Sequence, residues 1–445
     1  MDNQTIYALS TVFGKSGVAI IRISGEDALQ AIAKLSSINT STIKPRYAYF
    51  TTLKYKNNIL DKALVLYFKA PYSFTGEDVV ELHIHGSRAV ISSVVDVLSD
   101  INNFRLAEPG EFSKRAFYNQ KMDLTEAEGL ADLIDAETSE QQKFAIRQME
   151  GSLKNLYESW RETLLGILAH IEAYIDFPEE DIPDNIVYDM KNTVFKLSKD
   201  IAEHISTSNA GERLREGFRV VIVGPPNAGK SSLLNTITQR NAVIVSDIAG
   251  TTRDAIDIHL DLGGYPVILT DTAGLRETEE LIEQKGIEIA FEKMQAADLI
   301  VCLYDASKDS AQVFEKTINS FADKVLIVAN KSDKLTTKEI KNLEKSGHLV
   351  ISAHQTNSVN LLLQSIENNI KNKFTSGSNL LITRRRYKDA LQNAVNSLQR
   401  FSFDKEIELT AEDIRIAARE IGKITGRIEI DEVLDKIFGS FCIGK

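Results

Sequence analysis

The sequence predicts a multidomain protein of mixed α/β and α class: an N-terminal α+β domain, a helical domain, and an α/β domain inserted into the helical one. The chain has 445 residues, which is more than one compact domain usually holds. Its hydrophobic periodicity alternates between strand-like and helical runs up to residue 118, is helical after Leu124, and shows short buried strands separated by helical patterns in residues 218–372. The last of the eight prolines is Pro266, which favours a helix-rich C-terminal part.

The N-terminal domain is predicted to span residues 1–118. Short strand-like runs alternate there with short helical ones, which is typical of a small α+β domain. We expect strands at 17–24, 63–68 and 79–86, and helices at 27–35 and 91–101.

The helical domain is predicted in two parts, residues 119–217 and 373–445. The first part contains an apolar stripe with members three or four positions apart, the pattern of a helix with one buried face. Phe177-Pro178 and an acidic turn should end this helix. Further helical patterns lie at roughly 186–206, 383–402 and 410–438, the last two after a polar linker at 373–379. The stripe consists of Leu153, Leu156, Trp160, Leu164, Ile167, Ile171 and Tyr174.

Residues 218–372 are predicted to form a doubly wound α/β domain. Four short apolar runs, separated by helical patterns, favour a parallel sheet covered on both faces. Because helical sequence flanks this stretch on both sides, we expect it to be inserted into the helical domain. The four runs lie at 218–224, 265–271, 297–305 and 324–330.

Composition and charge narrow the class of protein. Hydrophobic residues make up 43% and charged residues 26%, which excludes a disordered or fibrous chain. The net charge of −11 argues against a uniformly basic nucleic-acid binder, but residues 119–217, with 10 Lys/Arg against 21 Asp/Glu, account for all of this net negative charge. Two cysteines exclude a disulfide framework. The lack of a long apolar run or signal peptide predicts a cytoplasmic protein with no membrane segment.

The strongest motif is GPPNAGKS at residues 224–231, which fits G-x-x-x-x-G-K-[ST]. It follows a predicted strand and opens a predicted helix, the context that this phosphate-binding loop requires. We expect Lys230 to reach the β- and γ-phosphates and Ser231 to bind Mg²⁺. The alternative is a plain glycine turn, which the full motif in its context disfavours.

Three further motifs follow in the order of a guanine-nucleotide site. DTAG at 271–274 ends a strand run, and Asp271 can hold Mg²⁺ there through water. NKSD at 330–333 ends another, and the carboxylate of Asp333 can accept hydrogen bonds from guanine N1–H and N2–H₂. Adenine lacks that pair of donors, so GTP is expected rather than ATP. With Ser352-Ala353 completing the base contact, the set is specific for a Ras-like GTPase.

Two segments are expected to carry the hydrolysis chemistry. In VSDIAGTTRD at 245–254, Thr251 or Thr252 can supply a second Mg²⁺ hydroxyl. Many such GTPases place a water-orienting glutamine after DxxG, whereas this chain has Leu275, so the water must be oriented otherwise. The nearby candidates, each otherwise a solvated surface charge, are Arg276, Glu277, Glu279, Glu280 and Glu283.

With these motifs the chain closely resembles the bacterial tRNA-modification GTPases of the MnmE or TrmE family, over essentially its whole length. It departs from the family pattern at Ser87, where a second glycine is usual, and at Gln120, where a small or turn-forming residue is common. The segments that carry the resemblance outside the GTPase motifs are PYSFTGEDVVELHIHG at 71–86, RLAEPGEFSKRAF at 105–117, NQKMDLTEAEGLADLIDAET at 119–138 and FCIGK at 441–445.

The resemblance implies GTP hydrolysis stimulated by K⁺ when two G domains meet. A cation beside the phosphates could replace an arginine finger. Glu283 matches the family's water-orienting glutamate, and Lys230 is the phosphate-binding lysine. By the same resemblance, Asn227, Ser246, Ile248 and Thr251 would surround K⁺, and Ser231 and Thr252 would bind Mg²⁺. The implied GTP-binding residues are Asn227, Ala228, Gly229, Lys230, Ser231, Ser232, Ser246, Asp247, Ile248, Ala249, Gly250, Thr251, Thr252, Asp271, Thr272, Ala273, Gly274, Asn330, Lys331, Asp333, Ser352 and Ala353.

The resemblance also implies a site for a tetrahydrofolate derivative, 5,10-methylene- or 5-formyl-tetrahydrofolate. On the predicted strand 79–86, Glu81, His83 and His85 share one face. Glu81 could bond the amino-pyrimidine of a pterin, and lysines could meet its glutamate tail. On the residues alone, a plain solvent face is the alternative. The matching positions are Arg22, Glu81, Lys121 and Lys445.

Several residues have two interpretations. Cys442, close to a bound one-carbon unit, could take part in chemistry or could be incidental, whereas Cys302 lies in an apolar strand and is expected in the core. His83 and His85 could ligate a metal, but no third ligand has recognisable spacing. Arg384–Arg386 with Lys388 could contact tRNA phosphate, or they could simply form the solvent-exposed start of a helix.

The implied function is that of a K⁺-stimulated GTPase acting with an FAD- and NADH-using MnmG-type partner. Together they would add an aminomethyl or carboxymethylaminomethyl group to C5 of the wobble uridine, position 34, of certain tRNAs, using a tetrahydrofolate carbon. The resemblance further implies a homodimer built through the N-terminal domains.

The alternatives are a ribosome-assembly GTPase of the Era or Der type and a signalling switch without modification chemistry. The first predicts a basic RNA-binding domain after the G domain, whereas the C-terminal part here is near neutral and helical. The second predicts no folate affinity.

Overall fold

The computed structural model describes six stretches of the chain: residues 3–177, 183–239, 257–271, 291–374, 381–428 and 431–444. They belong to two compact units. The first comprises Met1–Ala131, Gln148–Glu162 and Ile421–Lys445, and the second comprises Asp132–Arg147 and Thr163–Glu420. None of the helices in these stretches is long and apolar enough to cross a membrane. The four domain boundaries drawn from the sequence stay predictions.

The N-terminal strands form one six-stranded sheet. All three predicted strands belong to it, and the structure adds three more, which are short or rich in polar residues. The predicted helices are present as well. The elements are β1 (Thr5–Leu9), β2 (Ser16–Ser24), α1 (Ala28–Leu35), β3 (Tyr49–Tyr55), β4 (Asn58–Phe68), β5 (Val79–Gly86), α2 (Arg88–Ser99), β6 (Phe104–Leu106) and α3 (Glu111–Tyr118).

The strand order in this sheet is β3-β4-β5-β2-β1-β6, and every pair is antiparallel except β1 with β6. Residues of opposite parity on a strand face opposite sides of the sheet. One face is the core of this unit, where Ile21 and Ile23 of β2 pack with Leu82 of β5 and with residues of α1 and α2. The other face carries Arg22 of β2 and Glu81 of β5.

The helical regions confirm most of the helical pattern. The predicted apolar stripe lies on one helix, α6, which ends at Asp176 before Phe177-Pro178. The run at 410–438 is two helices rather than one, because Gly426 has a φ of +78° and lies against the Phe117 ring, where a Cβ would approach a ring carbon to 2.7 Å. The helices before the α/β part are α4 (Leu124–Ile134), α5 (Ser139–Met149), α6 (Ser152–Asp176), α7 (Asp184–Ser206) and α8 (Ser208–Glu216).

The α/β part contains a second six-stranded sheet, in the order β12-β11-β10-β7-β9-β8, parallel except for β8 with β9. From β7 the chain goes first to β8 and β9 on one side and then to β10, β11 and β12 on the other. The carboxyl end of β7 is therefore a topological switch point, where open α/β sheets bind ligands. The elements are β7 (Phe218–Val223), α9 (Lys230–Thr238), β8 (Asp257–Leu262), β9 (Tyr265–Asp271), β10 (Leu299–Asp305), α10 (Glu315–Phe321), β11 (Val325–Asn330), α11 (Thr337–Lys345), β12 (Leu349–Val350) and α12 (Thr356–Phe374), then α13 (Arg385–Arg400), α14 (Ile407–Thr425) and α15 (Asp431–Gly439).

The chain segments just before and well after this sheet are in contact. Arg215 of α8 donates from Nη1 to the Thr383 carbonyl oxygen at 3.3 Å, and Ile382 donates its N–H to Thr207 Oγ1 at 3.4 Å. Gly211 lies against the Ile382 carbonyl, where a Cβ would approach the oxygen to 2.2 Å. The two ends of the stretch between α8 and Ile382 are therefore adjacent.

The pH dependence of stability is predicted to include a contribution from His204 in the last turn of α7. Burial lowers the pKa of its imidazole from 6.5 to about 4. Between these values the unfolded chain takes up a proton here that the folded chain does not, so lowering the pH destabilises the fold by up to about 3 kcal/mol relative to pH 7. His204→Leu should shrink the fall in melting temperature between pH 7 and pH 5. His170→Leu, at an exposed position of α6, is the control and should leave that fall unchanged. An unchanged pH dependence in His204→Leu would contradict the assignment.

Candidate functional site

The loop between β7 and α9 is shaped by two residues with left-handed backbone. Asn227 has a φ of +64° and Gly229 a φ of +102°. A Cβ on Gly229 would lie 2.2 Å from Asn330 Nδ2, and one on Gly224 would lie 2.1 Å from the Leu303 carbonyl oxygen. Glycine is therefore required at both positions, and the loop can curve closely around a ligand at the start of α9.

Lys230 is the first residue of α9, and its side chain turns back over the loop. Its Nζ donates to the carbonyl oxygens of Gly224 at 2.7 Å and Pro225 at 3.1 Å. Lys230 as a residue is buried, with its ammonium group held against the loop by these two bonds. An anion held by the loop would therefore meet a fixed positive charge as well as backbone N–H groups.

Asn330 at the end of β11 connects the phosphate-binding loop to the predicted base-binding segment. Its Nδ2 donates to the Ala228 carbonyl oxygen at 2.7 Å, and its Oδ1 accepts from the Ala353 N–H at 3.0 Å. The side chain is only 1% exposed. One amide group thus fixes two loops that are more than a hundred residues apart in sequence.

Asp333 is oriented and kept ionised by its neighbour. Ser352 Oγ donates to Asp333 Oδ1 at 2.7 Å, and this hydrogen bond holds the pKa of Asp333 below its usual range. At neutral pH the carboxylate is an acceptor with lone pairs left for two donors, which is what the N1–H and N2–H₂ edge of guanine offers.

These residues surround a cavity of about 510 Å³, within the range of small-molecule sites. The structure thus brings the phosphate motif and the two base motifs together. Asp271 ends β9 next to this loop, since β9 pairs with β7 with Asp271 opposite Ile222. The lining residues are Pro226, Asn227, Gly229, Lys230, Ser231, Ser232, Asn330, Lys331, Asp333, Lys334, Ser352, Ala353 and His354.

A second polar cluster lies on the open face of the N-terminal sheet. Arg22 and Glu81 are opposite each other in the β2–β5 register, and Arg22 Nε donates to Glu81 Oε1 at 3.0 Å. The guanidinium carbon of Arg22 also lies 5.4 Å from the centre of the Phe74 ring. Lys121 Nζ donates to the Pro71 carbonyl oxygen at 2.8 Å, in the same loop as Phe74. Two of the four predicted folate residues are therefore paired, and Lys121 reaches a loop that contacts Arg22.

The two histidines of β5 lie where the strand alternation predicts. His83 Nε2 is 3.3 Å from Glu81 Oε2, and His85 Nδ1 is 2.7 Å from Asp61 Oδ1. Within the described stretches, no group of three His, Cys, Asp or Glu side chains is placed to hold a metal ion. The geometry thus ties each histidine to a carboxylate.

The C-terminal segment lies against β1 in the first unit. Ser10 Oγ donates to the Gly444 carbonyl oxygen at 3.0 Å. Ser10 directly follows β1, in which Ala8 is opposite Arg22, so the terminal residues are near the polar cluster. The Cys442 thiol is exposed, as a reactive group would need to be. Cys302 lies in the core of the other unit, where burial raises the pKa of its thiol to about 12.

Some predicted site residues lie outside the described residues. They are Ser246, Asp247, Ile248, Ala249, Gly250, Thr251 and Thr252, which precede β8 in sequence, Thr272, Ala273, Gly274 and Glu283, which follow β9 in sequence, and Lys445.

Comparisons with known proteins match this chain over nearly its whole length. The model of the MnmE helical domain matches residues 124–442, and that of the GTP-binding protein TrmE N-terminus matches residues 5–121. The tRNA modification GTPase MnmE of Rickettsia rickettsii (strain Sheila Smith) is 46% identical over 444 residues, 99% of this chain and 100% of that protein.

The chain belongs to the tRNA modification GTPase MnmE family.

One further relative matches over the same length, and one solved structure matches only part of the chain. The MnmE of Rickettsia bellii (strain RML369-C) is 46% identical over 446 residues, 99% of this chain and 100% of that protein. Among solved structures, Aquifex aeolicus Era Y63A bound to GDP·AlF₄⁻ is similar over 40% of this chain and 66% of that one, at 26% identity. Its TM-score of 0.29 is too low to establish a common fold.

In this MnmE-family chain, the arginines at the start of α13 differ in environment: one is in an internal ion pair and another is exposed to solvent. Arg384 Nη2 lies 2.7 Å from Asp132 Oδ1, so this arginine is part of an internal ion pair. Arg385 is 89% exposed and lies 3.7 Å from Asp389. Only the exposed members of the run remain candidates for contact with phosphate.

Sequence reasoning missed three residues that line the nucleotide cavity of this MnmE-family chain, Pro226, Lys334 and His354, and one residue next to it, Asp305. Asp305 ends β10 and binds Lys331, which lines the cavity. The available signal was its position, because Asp305 follows a buried strand run just as Asp271 and Asn330 do, and the carboxyl ends of parallel strands share one edge of the sheet.

Proposed function

We propose that this chain is a GTP hydrolase that acts in tRNA modification. The observation that carries the proposal is the cavity in which a phosphate-binding loop and an ionised Asp333 are joined by Asn330. Its full-length relatives are tRNA modification GTPases of the MnmE type, which supports the same activity and substrate class.

Hydrolysis of GTP requires the phosphates to be held and a water molecule to be oriented toward the γ-phosphate. In our proposal, Lys230 and the N–H groups of the loop at 224–229 hold the phosphates, and Glu283 orients the water. Mg²⁺ and K⁺ supply positive charge beside the phosphates when bound. Ser231 and Asn227 line the cavity with oxygen donors that suit such hard cations. The full proposed sets are Ser231 and Thr252 for Mg²⁺, and Asn227, Ser246, Ile248 and Thr251 for K⁺.

We also assign a tetrahydrofolate site to Arg22, Glu81, Lys121 and Lys445. The residues present fit a pterin, because the Glu81 carboxylate has four lone-pair positions, and Arg22 and His83 together engage two of them. Arg22 holds that carboxylate in place. Cys442, with its exposed thiol, is the candidate group for chemistry on the one-carbon unit.

Folate binding is tested by equilibrium dialysis of the full chain against 5-formyl-tetrahydrofolate. Glu81→Gln removes the charge but keeps the shape, and we expect about tenfold weaker binding. His85→Gln, on the same strand and face, is the matched control and should bind as tightly as the unmodified chain. Absence of saturable binding by the unmodified chain would refute the folate site.

The wider proposal is that a cytoplasmic homodimer acts with an FAD- and NADH-using MnmG-type flavoprotein on C5 of the wobble uridine of certain tRNAs. Mass spectrometry of wobble uridines from cells lacking this protein should show loss of the aminomethyl-type modification. Unchanged modification of the wobble uridines would refute the proposed role in tRNA modification. For the purified chain, GTP turnover in KCl should greatly exceed turnover in NaCl of equal ionic strength, and equal rates would refute the K⁺ assignment.

A further inference from the structure

Asp305, the last residue of β10, is a buried carboxylate with both oxygens engaged. It is 4% exposed. Oδ2 accepts from Lys331 Nζ at 2.6 Å, and Oδ1 accepts from the Ser307 hydroxyl at 2.6 Å and the Ser307 N–H at 3.1 Å. Burial alone would raise the pKa of this carboxyl, but the hydrogen bonds from Lys331 and Ser307 outweigh burial and hold the pKa below its usual range. A buried, ionised carboxylate thus binds Lys331, a residue that lines the nucleotide cavity.

Lys331 carries the effect of Asp305 to the cavity. Its backbone has a φ of +64°, and its Nζ also donates to the Asn227 carbonyl oxygen at 2.8 Å. The ammonium group therefore bridges the end of β10 and the phosphate-binding loop. Lys331 lines the cavity, whereas Asp305 is not among the described residues that do so.

This bridge fixes the long side chain of Lys331 in one conformation before a nucleotide arrives. A lysine side chain that is free must be ordered when a ligand binds against it, and this ordering weakens binding. The four-carbon stem runs between the αL backbone at residue 331 and the fixed Nζ, so it forms part of the wall next to Asp333. A neutral or missing partner at residue 305 would release that wall.

We propose that Asp305 is a positioning residue for guanine-nucleotide binding, acting through Lys331 to keep the base side of the cavity and the phosphate-binding loop in register. This inference rests on the proposed function, because it assumes that the cavity takes a guanine nucleotide. Asp305 slows release of the nucleotide and leaves the hydrolysis step itself unaffected.

The test compares release of fluorescent mant-GDP from the full chain and four variants by stopped flow: Asp305→Asn, Ser307→Ala, Lys331→Gln and the double variant of Asp305→Asn with Lys331→Gln. Asp305→Asn should speed release about tenfold, since the ion pair with Lys331 is replaced by a weaker hydrogen bond from the Lys331 ammonium to an uncharged amide oxygen. Ser307→Ala removes the other partner of the same carboxylate and is the matched control; release should stay within about twofold of the unmodified chain. In a Lys331→Gln background, Asp305→Asn should add less than about a twofold change, because its route to the cavity is gone.

Turnover separates positioning from a merely structural role. Asp305→Asn should raise the KM for GTP and leave kcat at saturating GTP unchanged. Release at the unmodified rate, an equal effect of Asp305→Asn with and without Lys331, or equal effects of Asp305→Asn and Ser307→Ala would each overturn the inference. If the unmodified chain fails to bind mant-GDP at all, the proposed function fails instead.

Discussion

Replacing Asp333 by asparagine is expected to weaken GTP binding about a thousandfold and to strengthen binding of XTP. The Asp333 carboxylate can accept two hydrogen bonds from guanine, each to a charged acceptor, and their loss leaves buried donors without partners. Xanthine has a carbonyl group where guanine has its amino group. An asparagine amide can donate to that carbonyl, so the preference should reverse.

The substitution of Asp333 by asparagine should preserve the orientation of the side chain, so that the change in base preference is measured by itself. Ser352 Oγ donates to Asp333 Oδ1, and an asparagine oxygen can accept the same bond. Titration with mant-GDP and mant-XDP measures both affinities. Asp323→Asn, which makes the same chemical change at an exposed position, should alter neither affinity. If Asp333→Asn binds mant-GDP as tightly as the unmodified chain, the cavity does not read guanine through this carboxylate.

Gly229→Ala is expected to weaken nucleotide binding by more than about a hundredfold while leaving the fold intact. The added Cβ would lie 2.2 Å from Asn330 Nδ2, and a φ of +102° is strained for alanine. Asn330 would have to move, and its bonds to Ala228 and Ala353 would break. Both the phosphate and base sides of the cavity would then lose their common anchor.

The same nucleotide titration checks this expectation, with circular dichroism to confirm the fold. Gly166→Ala on α6 is the control, because a Cβ there would have no atom within 4 Å. Retention of mant-GDP affinity in Gly229→Ala would show that Asn330 is not the anchor.

The positions of the nucleotide motifs could be predicted because each depends on local chemistry. The phosphate-binding loop needs glycine, lysine and serine at fixed spacing between a strand and a helix, and that pattern is visible in the sequence. The bonds of Asn330 to Ala228 and of Lys331 to Asp305 could not be predicted in the same way. They join strands whose order in the sheet is set by tertiary packing rather than by neighbours in sequence.

The N-terminal sheet shows the same division. The alternation of Val80, Glu81, Leu82 and His83 on β5 predicts which side chains share a face, and burial in the structure confirms it. The pairing of Glu81 with Arg22 depends on the β2–β5 register, which the hydrophobic pattern of one strand does not fix. Strand β3, with the sequence YFTTLKY, was missed because its alternation is interrupted by polar and aromatic residues on both faces.

The contact between the Thr207–Arg215 region and Ile382–Thr383 bears on whether the segment between them can be removed or replaced. When the two ends of an inserted segment are adjacent, the segment can be shortened or replaced without changing the path of the rest of the chain. A short peptide joining residues 216 and 382 would span a gap already closed by hydrogen bonds. Genes can gain a catalytic module at such a place in a single insertion event, and a protein engineer can graft a different one there.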